Sequence, residues 1–301
     1  MQPSRLPPLR SWLYAPGNSS RLLERVFDVG ADAVIVDLED AVPHQEKGRA
    51  RAMAAEAVRT RVGLGGPVVF VRINHPETGL AEQDIQHVVG PGLDGLRLPK
   101  TDSAATVARV DAWITAAETR AGLALGSIAL VCNIESAAGV WRAAEIAMAR
   151  PRVLALAFGG VDFGRDVGAS VGPEGLETLH ARSHLVLASR VAGIRSPVEG
   201  VYTQLHDLDG LEHTTRQSRA LGMFGRSAIH PRQVPVINRV FTPSEDDLAW
   251  ARGIVEAARD AERSSGTGAF QLPGGEFVDV AVVRRAEALL QLADRLAGGV
   301  A

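Results

Sequence analysis

The sequence predicts an α/β protein built as a (β/α)8 barrel with a C-terminal lid or arm. Eight apolar runs of strand length alternate with Ala/Leu/Arg/Glu-rich segments of helical period over about 260 residues. Most of these runs end in polar residues, as parallel strands opening onto one functional rim would. The first turn, Pro16-Gly17-Asn18, carries no Gly-rich phosphate fingerprint, which counts against a doubly wound dinucleotide fold.

The expected strands are Ser11–Tyr14, Ala33–Asp37, Val68–Ile73, Gly95–Leu98, Ser127–Ile134, Val153–Phe158, Gly193–Glu199 and Gly222–Ile229. Helices are expected between them at Ser20–Val29, Gln45–Arg61, Leu80–Val89, Ser103–Ala121, Ala137–Ala149, Glu174–Ala192 and Asp207–Leu221. A last barrel helix starts at Pro243-Ser244 and runs to about Arg263, with acids Glu245 to Asp247 at the positive end of its dipole. Ser264-Ser-Gly-Thr-Gly268 reads as a hinge. This gives a catalytic domain over 1–263 and a hinge and lid over 264–301, the latter holding Ala269–Val278 and a helix from Val282 to about Leu296.

The 301 residues, 46% hydrophobic, suffice for a full core. A net charge of −3 with both signs dispersed offers no basic surface for nucleic acid and no acidic tail. The single cysteine, Cys132, sits inside an apolar run and reads as a small buried hydrophobe. No stretch is long and apolar enough to span a bilayer, and Met1–Arg10 has no signal-type apolar core, so a cytoplasmic protein is expected.

The chemistry lies at the strand ends. Strand two ends in Asp37-Leu-Glu39-Asp40, strand three in Arg72-Ile-Asn74, strand four in Pro99-Lys100 and strand five in Glu135. Strand six ends in Gly159-Gly160-Val-Asp162, and strand eight in His230-Pro231. Two successive strand-end carboxylates, Glu135 and Asp162, suit a hard divalent cation with positions left open for substrate oxygens. The bland reading of each is a helix cap. Arg72 either pairs with Asp37 or Asp40 on the rim or holds a substrate carboxylate or enolate oxygen, and both roles are compatible. Gly159 and Gly160 let backbone approach a ligand. Lys100 and His230 read as structural, and Asn133 faces the barrel wall. There is no Ser-His-Asp arrangement and no His/Cys zinc spacing.

Seven ordered motifs carry a family resemblance. They are Arg10-Ser-Trp-Leu-Tyr-Ala-Pro-Gly17, Asp37-Leu-Glu-Asp-Ala-Val42, Val71-Arg-Ile-Asn74, Leu98-Pro-Lys100, Ile134-Glu-Ser-Ala-Ala-Gly139, Phe158-Gly-Gly-Val-Asp162 and Ile229-His-Pro-Arg-Gln233. Together they resemble the citrate lyase β-subunit-like proteins of the HpcH/HpaI aldolase/citrate lyase family, which includes malyl-CoA and citramalyl-CoA lyases. The resemblance runs from about Arg10 to Leu290. It implies a TIM barrel assembled as a homotrimer or a pair of trimers. It implies Mg²⁺, with Mn²⁺ as the alternative ion, on Glu135 and Asp162. Arg72 would face the reacting carbonyl oxygens, with Asp37 supporting it or a metal-bound water. Asp279, in a C-terminal segment that closes over the site from a neighbouring subunit, would be the catalytic acid–base. Tyr14 and Arg25 would contact CoA. The chain departs from the family pattern at Pro273-Gly274-Gly275 and at Arg226, where the family often has Asp-Gly and Lys.

The reaction so implied is reversible cleavage of a short 3-hydroxyacyl-CoA into acetyl-CoA and a 2-oxo acid, with CoA thioester and oxo acid as the partners. The alternatives are a citryl-ACP lyase subunit of a citrate lyase complex, an aldolase on free 2-oxo-3-deoxy acids, a CoA-thioester hydrolase, and a binder of CoA esters without turnover.

Overall fold

The computed structural model describes residues 6–172, 174–265, 269–272 and 274–298. Contacts group the chain into two units, Met1–Phe241 and Thr242–Ala301.

In the first unit seven strands form one parallel sheet. They are β1 (Ser11–Pro16), β2 (Ala33–Asp37), β3 (Val68–Arg72), β4 (Gly95–Leu98), β5 (Ala129–Ile134), β6 (Val153–Phe158) and β7 (Arg226–Ala228). Their order is β6-β5-β4-β3-β2-β1-β7. Every residue of β2, β5 and β6 is buried, as a parallel sheet covered on both faces requires. The two-residue period sorts them. Val34, Val36, Val69, Val71, Leu96, Leu98 and Leu130 pack into the large core with the helices. The alternate residues Trp12, Ala33, Ile35, Val68, Phe70, Ala129 and Val131 form a second core on the other face. Gly95 is required there, because a Cβ would stand 2.2 Å from Phe70 Cε1.

The expected strand Gly193–Glu199 does not form as a strand. Only Val198 and Glu199 make isolated parallel bridges, to Ala157 in β6 and to Arg226 in β7. Pro197 supplies no N–H and interrupts the ladder. Even so, Val198 N donates to Leu156 O and Ser227 N to Glu199 O, both at 2.9 Å, so the segment joins the sheet's two edges.

The helices are α1 (Ser20–Leu23), α2 (Lys47–Arg59), α3 (Ala81–Val88), α4 (Ala104–Arg120), α5 (Ala137–Trp141), α6 (Ala143–Ala147), α7 (Gly160–Val167), α8 (Leu176–Ala192), α9 (Leu208–Leu221) and α10 (Gln233–Phe241). Ser103 caps α4, its Oγ accepting from Thr106 N at 3.3 Å. The single helix expected over Ala137–Ala149 is two, divided at Arg142, whose backbone leaves the helical region. Two helices are additional. The first, α7, is masked in sequence by glycines 159, 160 and 164, and α10 carries Pro235 in its first turn, where no intrahelical N–H is needed.

In the second unit α11 (Glu245–Ser265) pairs with α12 (Val280–Ala297) around Ala251, Ile254, Val278 and Ala286. A two-stranded antiparallel ribbon, β8 (Phe270–Gln271) and β9 (Phe277–Val278), lies between them in sequence. Ser244 Oγ accepts from Asp247 N at 3.1 Å, the expected helix start. Of the expected hinge, residues 266–268 lie outside the described residues. Among the described residues no helix is long and apolar enough to cross a membrane.

Candidate active site

Parallel register builds the site. It places Asp37 beside Arg72 and Arg72 beside Arg97 at the C-terminal ends of β2, β3 and β4. These side chains continue the inward-facing apolar rows, so the second core ends in a polar layer. Above it is a cavity of about 490 Å³, lined among others by Tyr14, Asp37, Arg72, Arg97, Asn133, Glu135, Gly160, Asp162 and Ser227.

Asp37 grips Arg72 with both oxygens, from Nε and Nη2, each at 2.6 Å. The same carboxylate accepts from Glu39 N at 2.9 Å and Ala41 N at 3.2 Å. Four donors therefore occupy its acceptor sites and fix the carboxylate against Arg72. Arg72 Nη1 lies 3.0 Å from Glu39 Oε2, an ion pair without hydrogen-bond alignment. The guanidinium also stacks on Tyr14, 4.9 Å from the ring centroid.

Behind this arginine, Lys100 Nζ bridges Glu39 Oε1 and Asp40 Oδ1, the latter at 3.1 Å. Lys100 adopts a left-handed φ of 48°, a costly conformation for a side-chain-bearing residue. Burial pushes the Glu39 carboxyl up to about 7, against the pull of Arg72 and Lys100. Burial opposes the Lys100 charge, but the hydrogen bonds that its ammonium donates to Glu39 and Asp40 raise its pKa to about 12.

Glu135 is 5% exposed. Its Oε1 accepts from Asn133 Nδ2 at 2.8 Å, while Oε2 is buried with no hydrogen-bond partner. Burial raises its pKa, Asn133 and Arg72 pull it down, and Asp162 pushes it up again. Gly159 is the floor beneath it, since a Cβ there would meet Glu135 Cγ at 2.4 Å. Asp162, in the first turn of α7, is one-third exposed and pairs with Arg165 at 3.0 Å. A buried carboxylate with an unclaimed oxygen, lining one cavity with a second carboxylate, fits a divalent cation. Among the described residues no group of three or more His, Cys, Asp or Glu side chains is arranged to hold a metal ion.

The structure thus brings together Tyr14, Asp37, Arg72, Glu135, Gly160 and Asp162. Arg25 is exposed ahead of a short 3-10 turn and does not line the cavity. Asp279 belongs to the second unit, where its Oδ1 caps α12 by accepting from Ala281 N at 2.9 Å and Val282 N at 3.0 Å. Sequence reasoning misses Arg97. It is 2% exposed, and its signal is a charge at an inward position between Leu96 and Leu98. Arg226, where the family often has lysine, is also buried, donating to Gly200 O at 3.1 Å and to Thr214 and Thr215 Oγ1 at 2.8 and 3.0 Å. His230 Nδ1 accepts from Arg232 N at 3.1 Å, a local contact within the turn after β7. Cys132 is buried and free, its thiol pushed up to about 12 by burial.

A parallel α/β sheet whose strand ends gather a clamped arginine and the carboxylates Glu135 and Asp162 in one pocket is compatible with a carbon–carbon lyase of the oxo-acid class. The family comparison agrees with that class. The chain belongs to the HpcH/HpaI aldolase/citrate lyase family, whose profile matches residues 10–231. It is 36% identical to citrate lyase subunit beta of Leuconostoc mesenteroides subsp. cremoris over 95% of this chain and 93% of that one. It is also 36% identical to the L-malyl-CoA/beta-methylmalyl-CoA lyase of Cereibacter sphaeroides, over 96% of both chains. Among solved structures it resembles protein CitE from Mycobacterium tuberculosis in complex with magnesium, acetoacetate and coenzyme A. That match has a TM-score of 0.74 and 29% identity over 96% of this chain and 98% of that one.

Proposed function

We propose that the protein is a Mg²⁺-dependent lyase that reversibly cleaves a short 3-hydroxyacyl-CoA, of malyl-CoA or citramalyl-CoA type, into acetyl-CoA and a 2-oxo acid. The observation that carries this reading is Glu135 Oε2, a buried carboxylate oxygen with no donor, on a residue that lines the same cavity as Asp162. Magnesium in the complex of the 29%-identical relative supports it. We also infer that residues 198–199 stand as the eighth stave of a closed (β/α)8 barrel, because their hydrogen bonds join both sheet edges.

Glu135 and Asp162 would hold Mg²⁺, which when bound supplies Lewis-acid stabilisation of the substrate's oxygens. Arg72, held by Asp37 and Tyr14, would stabilise the thioester enolate oxygen left when the C–C bond breaks, a role typically worth about 3 kcal/mol. Asp279 would protonate the enolate carbon, and remove a proton from acetyl-CoA in the reverse direction. This assigns residues 264–301 to a lid over the barrel domain 1–263, closing from a neighbouring subunit of a trimer or hexamer. Its cap bonds to α12 leave Asp279 Oδ2 as the atom for that transfer. Tyr14, Gly160 and Arg25 would contact the CoA thioester.

Malyl-, β-methylmalyl-, citramalyl- and citryl-CoA given to purified protein with Mg²⁺ should reveal one preferred substrate by release of its oxo acid. Turnover only with carrier-protein partners would instead favour a citrate lyase β subunit, the reading that the Leuconostoc relative supports. Recovery of intact malate or citramalate would mean thioester hydrolysis. Glu135→Ala should lose at least about 10³-fold in kcat, and wild-type turnover of that variant in EDTA would exclude the metal role. Undiminished exchange of acetyl-CoA methyl protons in Asp279→Ala would exclude that residue as the base.

A further inference from the structure

We infer that Arg97 is a positioning residue for the metal-binding carboxylate: it locks the Asn133 amide in the orientation that leaves Glu135 Oε2 free for the cation. This inference rests on the Mg²⁺ reading above.

Donors and acceptors fix which way the amide points. Arg97 Nε donates to Asn133 Oδ1 at 2.7 Å, and Nη2 donates to Ser227 Oγ at 3.1 Å. A guanidinium has no acceptor, so the end of the Asn133 amide facing it must be the oxygen. The amide nitrogen is thereby turned toward Glu135 and donates to Oε1 at 2.8 Å. An amide N–H can only donate, so Oε1 must accept. One carboxylate oxygen is engaged from the side, and the other, Oε2, has no partner at all. With the amide reversed, its oxygen would face Glu135, repelling the carboxylate or demanding a proton on it. A protonated carboxyl does not bind a hard cation.

Three strands hold this relay. Arg97 lies on β4, Asn133 on β5 and Ser227 on β7, and the Arg97–Ser227 bond spans 130 positions in the chain. Arg97 packs against Trp12 and Tyr14, its guanidinium carbon 5.6 and 5.4 Å from their ring centroids. It is 2% exposed, and no ion pair to a carboxylate is found for it among the described residues. A buried cation so placed is costly for stability alone. Fixing a ligand's orientation gives it a use.

The test uses the intact protein without substrate and Mn²⁺ as the probe, with free ion counted by electron paramagnetic resonance during titration. Wild type should bind and Glu135→Ala should not. Wild-type binding by Glu135→Ala sinks the metal reading itself, an outcome separate from any failure of the relay. Asn133→Leu changes no charge and should weaken Mn²⁺ about 10–100-fold. Arg97→Met removes the lock but also a nearby positive charge, and the two act oppositely on a cation. A double-mutant cycle cancels the charge effect, which is present in both backgrounds. The relay predicts a coupling of about tenfold or more in Kd, and a coupling within about twofold overturns it. Should Arg97→Met not fold, Arg97→Lys decides. It keeps the charge but loses the planar fork, so Mn²⁺ should bind several-fold more weakly, while a wild-type Kd overturns the relay.

Discussion

Arg152 and Arg97 are both buried arginines, and they sit at opposite ends of the same sheet. Arg152 immediately precedes β6, at the N-terminal ends of the strands. All its donors are used: Nε to Asp111, Nη1 to Glu118 and Ile128 O, and Nη2 to Thr115 and Glu118. Glu118 is equally full, since Gly126 N and Ile128 N also donate to it. At the C-terminal end Arg97 Nη1, Glu135 Oε2 and Glu39 Oε2 are buried without hydrogen-bond partners. The difference is one of completeness. The cluster around Arg152 closes its valences, whereas the one around Arg97 and Glu135, which lines the cavity, leaves some open.

Three experiments put that contrast at risk. The largest effect is expected at the open end. Arg72→Lys keeps the charge but loses the two-pronged hold on Asp37, and kcat/KM should fall about 10²–10³-fold. The thermal midpoint should move little, and a large fall in it with activity retained would make Arg72 structural. At the closed end Glu118→Gln turns an acceptor into a donor facing Arg152. It should cost about 3 kcal/mol, read as a Tm lowered by roughly 6 °C or more. The folded enzyme's kcat/KM should stay within about twofold of wild type. Arg152 holds Glu118 ionised below the usual carboxylate range against the cost of burial, so this stability is present at neutral pH and is lost as acid protonates Glu118.

The smallest effect concerns Glu39, raised to about 7 by burial. With its folded pKa above the unfolded one, its contribution favours the fold below about pH 4.5. That contribution is lost as pH rises through about 7. The ionised form is also the one that pairs with Arg72 and Lys100. The kcat/KM profile should therefore rise through this pH by less than about tenfold. The inflection should vanish in Glu39→Gln, and its persistence would assign it to another group.

Sequence showed the strands best where both faces are buried. Ala33–Asp37, Gly95–Leu98 and Val153–Phe158 form with the expected bounds because a continuous apolar run has few other places to go. It failed at Gly193–Glu199, where Pro197 weighs more than the flanking apolar residues. The strand-end residues Asp37, Arg72, Glu135 and Asp162 were legible because parallel strands share a rim. Their partners were not. Register pairs Arg72 with Asp37, and only the folded sheet brings Ser227 to Arg97. Such long-range contacts leave no periodic trace in the chain.

The two-residue bridge at Val198 and Glu199 has a dynamic consequence. Elsewhere in the seven-stranded sheet each strand is zipped to its neighbour over three or more residues, but here two single bridges carry the join. Side chains reinforce it, with Arg182 and Ser218 fastened to Glu199 at 2.8 and 2.7 Å. Breathing of the wall should begin at this seam, where the fewest ladder bonds must open. Gly200 and Val201, the next residues along, line the cavity. The weakest stitch in the sheet is thus also the hem of the binding pocket, and its loosening would set how wide a guest the pocket admits.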